Sequence, residues 1–252
     1  MHEQHHEPEN ETSASPVGPL PKSNNFMIPL AIVVAGALIA GAVYFSNSRS
    51  GNLGTAPNAP TQQQPQAQAA DISKVKVAGH PFIGDPNAPI TIAYWYDYQC
   101  PFCRKTEQEV MPQLISDYIK AGKLKLVYKD FQFLGEDSQT AGLAEHAVWE
   151  VSPDKFYQWH KAMYDKQDNE NSGWGNKADI LALIKSLGID SAKVDELMTS
   201  KAVEYQKVMD ADKAEGGAFG VSGTPSFIIG KQLLVGAQPY SAVKQLIDLA
   251  GK

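Results

Sequence analysis

Cys100 and Cys103 are the only cysteines among 252 residues, and they stand three positions apart with Pro101 and Phe102 between them. A thiol pair at this spacing can hold a metal, close a structural disulfide, pack in a core, or pass electrons. Zinc takes four nitrogen or sulfur ligands, and no second CxxC or H-x₃₋₅-H accompanies the pair. A disulfide around so short a loop adds little stability. Exchange of electrons through sulfur is the chemistry that suits Cys100-Pro101-Phe102-Cys103 best.

The flanking residues say where the pair sits. Ile90 to Tyr96 is aromatic and β-branched without polar alternation, the pattern of a strand buried on both faces. Pro101 fits the first turn of a helix, where its missing N–H would have had no partner. Residues i and i+3 of a helix are neighbours, so the two sulfurs can join without distorting the backbone. The free N–H groups and dipole of the helix start favour a thiolate on Cys100. The dipole contributes at most about 2 kcal/mol, or roughly 1.5 pKa units, so a more acidic thiol needs local hydrogen bonds too.

The rest of the chain must position this turn. A content of 43% apolar residues supports one sizeable core with an appendage, and a net charge of −6 without a basic stripe excludes nucleic acid as a partner. Residues 1–25 are polar and carry His2, His5 and His6; they read as a disordered, solvated tail, and no metal site is expected. Phe26 to Phe45 runs twenty residues without a charge. That length spans about 30 Å as a helix, so a transmembrane anchor is expected over 26–45, although Ala40-Gly41-Ala42 resembles a cleavage site. Lys22 and Arg49 flank the segment and leave its orientation undecided by charge; an oxidising compartment suits the CxxC, which puts the tail in the cytoplasm and the rest outside. Residues 46–70 read as a flexible, Gln/Pro/Ala-rich spacer.

The folded part is expected over 71–252. Lys74-Val75-Lys76-Val77 alternates like an edge strand, and Gly84-Asp85-Pro86-Asn87-Ala88-Pro89 is a dense turn cluster. After Cys103 a helix runs to Gly122, with a bend expected at Pro112, and Leu124 to Phe131 reads as a second strand. Residues 138–216 show helical stripes and form an inserted helical block, in which His146 and His160 read as histidines packed on helix faces. Strands return at Ser226–Ile229 and Leu233–Val235, followed by a helix over 239–250. The order is β-α-β, helical insert, β-β-α.

Just before the returning strand stands Val221-Ser222-Gly223-Thr224-Pro225. The Cys100–Cys103 motif after a buried strand, the Gly223-Thr224-Pro225 turn and the helical block between them resemble the α/β thioredoxin fold. More narrowly, they resemble the DsbA-like thiol-disulfide oxidoreductases, over about residues 72–252. The resemblance implies that Cys100 is the exposed nucleophile and Cys103 the buried resolving thiol. It implies that Pro101 and Phe102 tune the potential, and that Thr224-Pro225 forms a cis-proline turn beside the disulfide that pairs with an extended substrate peptide. Related folds often place a buried carboxylate six residues before the first cysteine; here that position is Tyr94, which leaves the proton-transfer group unassigned.

The expected activity is the introduction of disulfides into reduced or misoxidised exported proteins, with no cofactor beyond the Cys100–Cys103 disulfide and a quinone-linked membrane partner to reoxidise it. A reductase or isomerase of the same fold, and a tethered peptide-binding or chaperone module, are the alternatives.

Overall fold

The computed structural model describes residues 68–170 and 172–252. The tail at 1–25, the expected span at 26–45 and most of the spacer lie outside the described residues. Among the described residues, no helix is long and apolar enough to cross a membrane.

Six strands form one sheet: β1 (Gln68–Ala69), β2 (Phe82–Gly84), β3 (Ile90–Tyr96), β4 (Leu124–Asp130), β5 (Ser226–Ile229) and β6 (Gln232–Val235). Their order is β1-β6-β5-β3-β4-β2. Only β3 and β4 run parallel, joined by the helical crossover that starts at the cysteine motif; the other pairs are antiparallel. Helices α1 (Pro101–Glu109) and α2 (Met111–Leu114) fill that crossover, α3 (Glu136–Val151), α4 (Phe156–Lys166), α5 (Lys177–Ser186), α6 (Ser191–Ser200) and α7 (Ala202–Ala218) form the insert, and α8 (Tyr240–Ala250) closes the chain.

β3 lies at the middle of the sheet, and its residues Ile92 to Tyr96 are all fully buried. Alternation sends Ile92, Tyr94 and Tyr96 into the large core under the helices, and Ala93 and Trp95 into a smaller core with Val75, Phe131, Val221, Ile228 and Leu233. This two-sided burial is why β3 carries no polar alternation.

Four expectations change. Lys74–Val77 is not an edge strand: Ile72–Lys74 is a 3₁₀ turn capped by Asp71, and β1 and β2 take the two edges of the sheet instead. The Lys76 N–H is bonded to Glu215 at 3.0 Å and its carbonyl to the Lys129 ammonium at 2.9 Å, so neither is available to a strand partner. The spacer is shorter than 46–70, because Gln68–Ala69 pairs with β6. The helix after the cysteines breaks at Val110, ahead of Pro112, and continues as α2 and a π turn over Ile115–Ile119; a proline at that position cannot donate to the turn before it and crowds the carbonyl four residues back. The insert runs to Ala218 and is interrupted between α4 and α5 by a loop whose first residue, Gln167, bonds the cysteine turn.

A buried ion cluster ties the insert to the sheet. Lys129 of β4 is fully buried, and its ammonium pairs with Asp212 at 2.5 Å and Glu215 at 3.0 Å, both on α7, with His80 at 2.9 Å. A charge so placed must be paired and hydrogen-bonded to be tolerated. Beside it, the Trp95 indole N–H donates to the Asp212 carbonyl at 3.0 Å, and Gly216 leaves room for the ring. A Cβ at Gly216 would stand 2.8 Å from the indole nitrogen. Gly216→Ala should therefore cost about 1–3 kcal/mol by overpacking, read as a lower urea midpoint with an unchanged slope.

Candidate active site

The turn from β3 into α1 carries both cysteines. Cys100 caps α1 in an extended conformation, with Pro101 in the first turn, and its carbonyl accepts the N–H groups of Cys103 and Arg104, both at 3.1 Å. The turn is held by contacts to residues far away in sequence. The buried Asp97 carboxylate accepts the N–H groups of Gln99 at 2.8 Å, Phe133 at 2.8 Å and Leu134 at 3.1 Å, and the Ser138 hydroxyl. Gln167, just past α4, donates its amide to the carbonyls of Tyr98 at 2.6 Å and Cys100 at 3.2 Å. The Tyr164 hydroxyl donates to the Asp97 carbonyl at 3.1 Å.

The two thiols are unlike each other. Both are reduced; Cys103 is fully enclosed, while Cys100 is 4% exposed at the surface end of the pair. The Cys100 thiol donates to the Thr224 carbonyl at 3.4 Å, so the pair and the Thr224-Pro225 turn meet, as the sequence implied. The Thr224–Pro225 peptide is cis, and Pro225 accepts the Gly236 N–H at 2.7 Å. Pro101 is exposed, and Phe102 presents 62% of its surface to solvent beside the sulfur.

The Cys103 thiol, the Thr224 hydroxyl and the N–H groups of Cys103 and Phe102 stabilise negative charge on Cys100 against its partial burial, and hold its pKa down at about 6. Burial, reinforced by the charge it would share with Cys100, pushes Cys103 well above the usual thiol range. One sulfur is therefore anionic at neutral pH and the other keeps its proton. Such a pair can carry out dithiol–disulfide exchange, with a good leaving group at the surface and an internal thiol to close the ring.

The side chains behind the dithiol have contacts that the sequence did not reveal. Tyr94 occupies the position six residues before Cys100; its buried hydroxyl has no conventional hydrogen-bond partner and faces the Cys103 sulfur. Glu107 is buried one turn beyond Cys103 and meets the His160 ring at 3.2 Å, so His160 is more than packing. His146 likewise bonds Asp130 at 2.8 Å. Asp97 is an anchor of the turn. Glu107 lies one helical turn past Cys103 on α1, and that spacing was the signal available for placing it on the inner face of the helix; Gln167 gave none.

Three comparisons bear on this site. The thioredoxin family model matches residues 76–249. The chain is 26% identical over 190 residues to Disulfide bond formation protein D of Bacillus subtilis, covering 74% of this chain and 85% of that one. Its fold matches the crystal structure of oxidised BdbD from Bacillus subtilis with a TM-score of 0.66 at 23% identity, over 73% of this chain and 98% of that one. It also matches the thiol-disulfide exchange protein α-DsbA2 from Wolbachia pipientis, with a TM-score of 0.59 at 25% identity, over 68% and 86%.

The thiol asymmetry has a pH signature. Depression of the Cys100 pKa adds stability to the reduced protein that is fully present above the unfolded thiol value near 9 and is lost as pH falls through about 6. The disulfide form has no such group. The urea midpoint of the reduced protein should rise relative to the oxidised one between pH 6 and pH 9, and thiolate absorbance at 240 nm should titrate near pH 6 as a single group. With the dithiol, the cis Thr-Pro turn against it and a family match across both, the chain belongs to the thioredoxin family, as one of its DsbA-like thiol-disulfide oxidoreductases.

Proposed function

We propose that this thiol-disulfide oxidoreductase works as an oxidase, donating its Cys100–Cys103 disulfide to proteins that have just been exported. The observation that carries this direction is the unequal ionisation of the two thiols, with Cys100 near 6 and Cys103 raised. A reduced form stabilised by a thiolate makes reduction of the disulfide favourable, and so makes the disulfide a strong oxidant. A client thiolate attacks the Cys100 sulfur and displaces Cys103. A second client thiolate then attacks the mixed disulfide, and Cys100 leaves as its stable anion. Two electrons pass from client to protein, and no cofactor is needed for the step.

Each site residue has a role in this reading. Cys100 exchanges with the client and Cys103 resolves. Pro101 and Phe102 set which donors reach the Cys100 sulfur, and the exposed Phe102 ring offers apolar contact to an unfolded chain. Thr224 and Pro225 border the sulfur where an extended client segment would pair. The uncharged residues 26–45 serve as a single membrane span with the catalytic domain outside, residues 46–67 as its tether, and a quinone-linked membrane protein as the reoxidant. Support for this placement is the length of the apolar run and the use of cysteine only in the motif.

Titration of the full chain in glutathione buffers should give a potential well above thioredoxin's value of about −270 mV. A value at or below that level would overturn the oxidase direction and favour a reductase. In cells, Cys103→Ser should accumulate covalent complexes with exported proteins that dithiothreitol releases, whereas Cys100→Ser should form none. The full chain should sediment with membranes and resist carbonate extraction.

A further inference from the structure

Arg104 is the only arginine after residue 49, and the other permanent cations of the folded part are all lysines. It stands one turn into α1, four residues past Cys100, and its N–H donates to the Cys100 carbonyl at 3.1 Å. A cation in the first turns of a helix works against the helix dipole, so the helix itself does not favour it. No carboxylate offsets it either. Among the described residues its guanidinium makes one bond, from Nη1 to the Gln167 carbonyl at 2.7 Å, and no ion pair. The acids nearest along the chain are engaged elsewhere: Glu107 with His160 at 3.2 Å, Glu109 with Lys105 at 3.9 Å, and Asp168 with the Trp174 N–H at 3.1 Å.

Side chains on a helix lean towards its N-terminus, and residues four apart share a face. The long side chain of Arg104 accordingly reaches back to the turn that carries Cys100. Gln167 fixes where it ends. The Gln167 backbone carbonyl takes Nη1, while its side-chain amide donates to the carbonyls of Tyr98 at 2.6 Å and Cys100 at 3.2 Å. The guanidinium is thus held one residue away from the Cys100 main chain, and Arg104 is only half-buried. A guanidinium carries five N–H donors in a planar fork. One is taken by Gln167, and that bond already restrains the side chain, so a ligand meets a group set in place beforehand. The cis-proline turn reaches Cys100 at its sulfur, through the Thr224 carbonyl at 3.4 Å, and Arg104 reaches it by way of its carbonyl.

Resting on exchange through Cys100 but not on its direction, we propose that Arg104 is a specificity-determining residue that receives the carboxylate of an Asp or Glu beside the client's reacting cysteine. The planar fork matches a carboxylate with two parallel bonds, which a lysine in its place cannot do. Arg104 forms and breaks no bond in the exchange; it selects the client that docks.

The test uses the full chain in its disulfide form and dithiol peptides that differ only in the residue after the attacking cysteine, as Asp, Asn or Lys. Exchange rates are divided by each peptide's rate with bis(hydroxyethyl) disulfide, which cancels the peptide's own thiol reactivity. The parent should favour Asp over Asn by roughly three- to tenfold, the scale of a half-exposed charge pair, and the preference should shrink in about 0.5 M salt. Arg104→Gln should bring the Asp-to-Asn ratio to about one, Arg104→Lys should keep part of it, and Arg104→Glu should turn the preference towards Lys. The Cys100 thiolate titration should stay near 6 in Arg104→Gln. An Asp-to-Asn ratio equal in parent and Arg104→Gln would reduce Arg104 to a clip for the α4–α5 loop and overturn the assignment. Should the variants not fold, a parental ratio of one, or one that salt leaves unmoved, would overturn it equally. The equilibrium potential judges the oxidase direction and the Asp-to-Asn ratio judges Arg104, so each can fail without the other.

Discussion

The molecule depends on a difference in solvation between two sulfurs less than one helical turn apart. Cys100 lies at the mouth of α1, where a hydroxyl, a thiol and backbone N–H groups converge on it; Cys103 lies inside, where no charge is welcome. Most of the described architecture keeps that difference sharp. β3 is buried on both faces, so the turn it feeds cannot drift, and its last residues are bolted by Asp97 to the segment after β4 and by Gln167 to the end of α4. Loosening either bolt would let water reach the inner sulfur and bring the two thiols closer to equal.

The insert therefore does more than cover the sheet. It supplies Tyr164 and Gln167 to the carbonyls of the cysteine turn, His160 to Glu107 and Tyr98, and Glu145 to the hydroxyls of Tyr96 and Tyr98. Glu145 is held up at about 8 by burial and by the nearby Asp130 charge. Behind the cysteines lies a polar seam of tyrosine hydroxyls, imidazole and carboxylates within an otherwise aromatic core. Polar seams of this kind are tolerated when their members satisfy one another, and the buried hydroxyls of Tyr94 and Tyr128 are the ones left without a conventional partner.

What the sequence made legible was local or strongly typed. The β3 run, the CxxC at a helix start and the Thr-Pro before β5 each have a composition that follows from one physical requirement. The misread pieces are those where a distant partner decides. Lys74–Val77 does alternate in burial, yet its backbone is claimed by Glu215 and Lys129. β1 and β2 span two and three residues, too few to show a period. Asp97 and Gln167 act across separations that leave no spacing to read, and His160 looked like an ordinary face-packing residue because its partners are on other elements.

The lysine of β4 sets a limit on how this domain can be taken apart. Two of the three side chains that neutralise or bond its ammonium arrive on α7, the last helix of the insert. Excising or exchanging that helical block would strand a bare cation in hydrocarbon, so the sheet is not a self-sufficient scaffold onto which a lid was later dropped. Scaffold and lid form one cooperative body, and any change in the lid's identity has to carry its counter-ions with it.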